Sequence, residues 1–114
     1  MIEVRVERAV NGVLARLSSA GHARADHSAA CVGVSTLLKA SAQALADRPE
    51  LTMTGTAPHP GMMQIELIAP QDTGAEYALG VTEVLIQGLR ELAEGFPEEV
   101  QLSIGRTDTA TAGR

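Results

Sequence analysis

Within the stretch "SSAGHARADHSAACVGVSTLLKA", Ser18–Ala40, lie two of the three histidines and the only cysteine of the chain. These residue types can do covalent chemistry. A thiol attacks as its thiolate, and an imidazole that titrates near neutrality can take the thiol proton and later hand it to a leaving amine. His22 and His27 both precede Cys31, and Asp26 is the one acid between His22 and the cysteine. Ser28 and Ser35 add hydroxyls on either side of it. A metal site is a poorer reading, because Cys31, His22 and His27 offer three ligands with no CxxC spacing. His59, between Pro58 and Pro60, reads as an exposed turn histidine, and Gly12, Gly21 and Gly55 do not form a phosphate loop. The bland alternative for Cys31 is a small, inert core side chain.

The elements that must carry these residues follow from periodicity. Ile2, Val4 and Val6 alternate with Glu3, Arg5 and Glu7, a strand with one wet face. Asn11-Gly12 signals a tight hairpin turn, and Val13, Ala15 and Leu17 then alternate with polar residues up to Gly21-His22-Ala23. From Ala29 to about Asp47 the period changes. Ala30, Val34, Leu37, Leu38, Ser41 and Leu45 recur at helical spacing, with Ser28 as N-cap and Arg48-Pro49 as the stop. Gly33 in the first turns weakens that helix unless it permits close packing. Leu51 and Met53 suggest a third strand, and Met63, Ile65 and Leu67 a fourth. A second helix runs from Thr73 to about Glu94, capped by Asp72 or Thr73 and striped by Tyr77, Val81, Val84, Leu85, Gly88, Leu89 and Leu92. Val100, Leu102 and Ile104 make the last strand.

The predicted order is β-β-α-β-β-α-β: an α+β domain over residues 1–106, with a mixed or mostly antiparallel five-stranded sheet and two helices. Residues 107–114 read as a flexible polar tail. This order puts the Gly21-His22 pair at a strand end and Cys31 in the first turn of a helix. Unpaired N–H groups and the helix dipole favour a thiolate there, and the same N–H groups can hold an oxyanion.

Composition narrows the functions. The chain has 114 residues, 45% of them apolar, which suits one domain with one modest core. Tyr77 and Phe96 are the only aromatics, so the core is aliphatic and base-stacking platforms are missing. A net charge of −5 with a single lysine, Lys39, argues against a phosphate-tracking surface and so against direct nucleic-acid binding. The start "MIEVRVERAV" lacks the apolar core of a signal peptide, and no segment reads as a membrane span. With one cysteine and no internal disulfide, a cytoplasmic location is expected.

The combination Gly21-His22-Ala23 with Cys31-Val32-Gly33-Val34-Ser35 resembles the ribosomal-processing cysteine proteases, the Prp or YsxB-like family. In that family Gly-His-Ala ends the second strand, a loop follows, and Cys-Ala-x-Val-Ser opens a helix. The start of the chain and the element order agree, so the resemblance covers nearly the whole sequence. It implies a cytoplasmic homodimer that removes a short N-terminal extension from the precursor of ribosomal protein bL27, cutting after a phenylalanine, without a cofactor. Cys31 is then the nucleophile and His22 the general base. Asp26, His27, Ser28 and Ser35 are accessory candidates, and Gly21 and Gly33 are structural glycines. The connection "RADHSAAC" is shorter than the family's, with Ser28 at its aspartate position and Ala29-Ala30 at its Ile-Val pair. The alternative is a non-catalytic relative that binds a ribosomal protein or peptide.

Overall fold

A computed structural model describes residues 1–21, 28–56, 62–68 and 73–107. β1 (Ile2–Arg8) buries Ile2, Val4 and Val6 and exposes Glu3 and Arg5, as its alternation requires. It pairs antiparallel with β2 (Leu14–Ala20), which pairs antiparallel with β4 (Met62–Leu67), and β4 pairs antiparallel with β3 (Met53–Thr56). β5 (Val100–Arg106) lies parallel to β1 on its other side. The five-stranded sheet is therefore ordered β3-β4-β2-β1-β5. α1 (Ala29–Ala46) and α2 (Thr73–Gly95) complete the expected β-β-α-β-β-α-β order in a single α+β domain.

The first hairpin departs from the sequence expectation. Asn11-Gly12 does not form a two-residue turn. The chain leaves β1 at Arg8 and rejoins the ladder at Leu14, closed by Ala9 N–H donating to Val13 O at 2.8 Å and Gly12 N–H donating to Ala9 O at 2.8 Å. Asn11 Oδ1 accepts from Val13 N–H at 3.1 Å, the local bond that makes Asn a turn residue, and Gly12 supplies the positive φ of 88°. The register slips between Glu7 and Arg8, so strict alternation fails in β2: Val13, Leu14 and Leu17 are buried, whereas Ala15 is half-buried. One extra residue turns the following side chains to the other face.

α1 packs Ala30, Val34, Leu38, Ser41 and Leu45 inward. Contrary to the expectation that nothing reads as a membrane span, this helix is long and apolar enough to cross a membrane by length and composition. Its inner face is instead part of the core shared with β1, β2, β4 and α2. On α2 the buried row is Ala78, Thr82, Leu85, Ile86 and Leu89. Val84, expected in the apolar stripe, is 69% exposed, and Ile86 takes a core place in its stead. The two isoleucine- and valine-bearing positions differ by two helix steps, enough to move one off the core-facing arc. Thr82 is fully buried, and its hydroxyl donates to Ala78 O at 2.7 Å and accepts from Leu14 N–H at 2.9 Å. It thereby satisfies a backbone donor that the irregular start of β2 would otherwise leave buried and unpaired.

The helices run antiparallel over the sheet and interlock through glycines. A Cβ on Gly33 of α1 would lie 2.7 Å from Leu92 Cδ2 of α2, and a Cβ on Gly88 of α2 would lie 2.7 Å from Leu37 Cδ2 of α1. Each helix thus lodges a leucine where the other has no side chain. At the far end of α1 the Tyr77 hydroxyl donates to Ala44 O at 3.0 Å, and the Arg48 guanidinium sits 4.1 Å from the centre of the Tyr77 ring.

Candidate active site

The backbone of the candidate site is built from the end of β2 and the start of α1. β2 closes on Ala20, and Gly21 follows with φ of 99°. Gly21 is one of the few positions where glycine is required: besides its left-handed φ, a Cβ there would collide with the carbonyl oxygen of Met1. His22, Asp26 and His27 lie outside the described residues, as does His59.

The chain re-enters at Ser28, which caps α1 as the sequence predicted. It has extended backbone angles, and its Oγ accepts from Cys31 N–H at 3.1 Å. Val32 N–H donates to Ser28 O at 2.9 Å. Cys31 is thus the third residue of the helix, a free and half-buried thiol packed at the border of the core. The cap refines the oxyanion expectation. The Cys31 N–H is already engaged by Ser28, so of the first-turn donors Ala29 and Ala30 are the ones with no acceptor among the described residues. No acidic side chain occupies the first turn to compete for them.

Ser35 lies one turn beyond Cys31 and is exposed. Gly33, between them, is the socket for Leu92, so the turn that carries the thiol is seated directly on the C-terminal part of α2. Leu92 is the residue that sequence reasoning assigned only to an apolar stripe. Its signal was the glycine at an interior helix position, where alanine is otherwise preferred. Among the described residues no group of His, Cys, Asp and Glu is arranged to hold a metal ion.

Strand pairing defines what else stands at this end of the molecule. Ala20, the last residue of β2, is opposite Met62, the first of β4, and Ser19 is opposite Met63. Ser19 and Met63 are half-buried and share the helix-facing side of the sheet with Val4 and Leu17. The end of β2 and the beginning of β4 therefore lie side by side at one end of the sheet. A cysteine in the capped first turn of a rigid helix can present a nucleophile to an extended chain.

Comparison with solved structures gives the same fold. SMU.848 from Streptococcus mutans superposes with a TM-score of 0.76 at 27% identity, over 93% of this chain and 95% of that one. The essential ribosomal processing protease Prp from S. aureus, in complex with a covalently linked product peptide, superposes with a TM-score of 0.76 at 22% identity, over 91% and 99%. The same S. aureus protease with a substrate peptide gives 0.74 at 19% identity, over 91% and 99%. No curated protein matches by sequence. A family model, described as Cysteine protease Prp, matches residues 1–101, which include both Gly21-His22-Ala23 and Cys31. The chain belongs to the cysteine protease Prp family.

Proposed function

We propose that this protein is a cysteine endopeptidase that removes the N-terminal extension of the ribosomal protein bL27 precursor. The observation that carries this reading is the position of the only thiol, half-buried in the capped first turn of α1, in a chain matched to the protease family across residues 1–101. Two structures of the S. aureus protease of the same fold hold a substrate peptide and a covalently linked product peptide, which supports a peptide as the substrate class here.

In this reading Cys31 Sγ attacks the scissile carbonyl. His22 accepts the thiol proton and returns it to the leaving amine, and water then releases the acyl group from the thioester. The N–H groups of Ala29 and Ala30 are the donors for the oxyanion, while Ser28 holds the helix start in place through the Cys31 N–H. Asp26, His27 and Ser35 are accessory, Asp26 as the acid that orients a histidine. No cofactor takes part. The enzyme acts as a homodimer in the cytoplasm, without direct contact to nucleic acid or membrane, in keeping with its acidic, lysine-poor composition.

The deciding experiment mixes the purified protein with the extended bL27 precursor of its own organism and follows the product N-terminus by mass spectrometry. Wild type cuts the precursor once, after an apolar motif, and Cys31→Ala leaves it whole while still folding. An extended precursor left intact by wild type, or cut equally by Cys31→Ala, removes the protease assignment and leaves a peptide-binding relative.

A further inference from the structure

β5 is the edge strand of the sheet on the side of β1, and its ladder to β1 runs unbroken from Ile2↔Val100 to Arg8↔Arg106. Two bonds fix which groups face inward. Ile2 N–H donates to Glu99 O at 2.7 Å, and Thr107 N–H donates to Arg8 O at 2.8 Å. In a regular parallel ladder alternate residues of a strand make both of their bonds to the same neighbour. Gln101, Ser103 and Gly105 therefore bond to β1, and the N–H and C=O groups of Leu102, Ile104 and Arg106 point away from the sheet. Such an edge is a template for another strand unless it is blunted by Pro, Lys or a bulge. The sequence "VQLSIGR" has neither residue, and the register shows no bulge.

We infer that the occupant of this edge is the β5 strand of a second copy, paired antiparallel about Ser103, and this rests on the homodimer reading above. Two features of the strand select a second copy. First, its ends carry opposite charge: Glu98 and Glu99 precede it and Arg106 closes it. Antiparallel pairing brings Arg106 beside the acidic pair at the start of the other strand, twice per dimer by symmetry. Second, centring on Ser103 sets Gln101 opposite Gly105. No atom lies within 4 Å of where a Gly105 Cβ would be, and a groove lined by Arg5, Glu7, Ser103 and Thr107 opens over it. The Gln101 side chain of each copy enters that groove in the other. The Leu102–Ile104 pair, half-buried at the edge, becomes covered on the opposite face.

The test combines sedimentation across the micromolar range with residue-resolved amide exchange. The amides of Gln101, Ser103 and Gly105 are expected to be protected at every concentration, and those of Leu102, Ile104 and Arg106 only where the dimer is populated. Arg106→Glu is expected to raise the dimer dissociation constant about ten-fold, and adding Glu98→Arg and Glu99→Arg to it restores association. A wild type that stays monomeric overturns both this interface and the homodimer reading, leaving the cleavage assay to decide the protease reading independently. A wild-type dimer whose Leu102, Ile104 and Arg106 amides exchange equally fast at high and low concentration, or whose association ignores Arg106→Glu, keeps the homodimer and overturns β5 as its interface.

Discussion

Gly33 on α1 receives Leu92 of α2: the leucine methyl stands 2.7 Å from where a glycine Cβ would be. Two residues before that socket is Cys31. The contact sets how deeply the first turns of α1 settle against α2, and so where the thiol stands relative to the end of β2. Gly88 and Leu37 repeat the arrangement with the helix roles exchanged.

Substitution of the helix glycines separates packing from propensity. Gly80 has no atom within 4 Å of an added Cβ, so Gly80→Ala is expected to stabilise the protein by roughly 0.5–1 kcal/mol, the helix preference for alanine. Gly33→Val meets Leu92 and is expected to destabilise by about 1–3 kcal/mol through overpacking. Chemical denaturation of the two variants checks both signs. Equal effects would mean that the socket is slack.

Removal of the cap touches stability and site together. Ser28→Ala deletes the acceptor for Cys31 N–H and is expected to cost about 1 kcal/mol of stability. Ser28→Asp keeps an acceptor and recovers most of it. Thermal unfolding of the pair distinguishes a cap from a bystander: if Ser28→Ala unfolds with wild type, the cap has no energetic role.

Thr82→Val preserves shape but leaves the buried Leu14 N–H without its 2.9 Å acceptor. The expected loss is about 1–3 kcal/mol, the cost of an unsatisfied buried donor. Thr82→Ser, which keeps the hydroxyl, is expected to lose less of the hydrogen-bond contribution. Urea midpoints measured at constant m-value report the difference.

For the proposed dyad, native protein is expected to react with iodoacetamide at Cys31 without prior denaturation, and His22→Ala is expected to slow that reaction near neutral pH. In the peptide-cleavage assay the same change is expected to lower the rate by roughly 10²–10⁴, the contribution of a general base. Modification of Cys31 only after unfolding would instead mark it as an inert core thiol.

The local elements were legible in the chain itself, because burial on one face imposes a period of two on strands and near four on helices. Ile2, Val4 and Val6 announced β1, the change of period after Ser28 announced α1, and Ser28 announced its own cap. The same local logic placed the lone thiol in a first helical turn. Periodicity carries no information about partners, so it did not reveal that β5 lies parallel beside β1 while the other pairings are antiparallel, or that β5 is an edge. It also misread the first hairpin, where one inserted residue shifts the register and Thr82, far along the chain, supplies the missing acceptor. Gly33 could be read as either a weak helix position or a close approach. Only the packed structure decided between them, because the leucine that fills the gap comes from another helix, and contacts between distant segments are set by how faces fit in three dimensions.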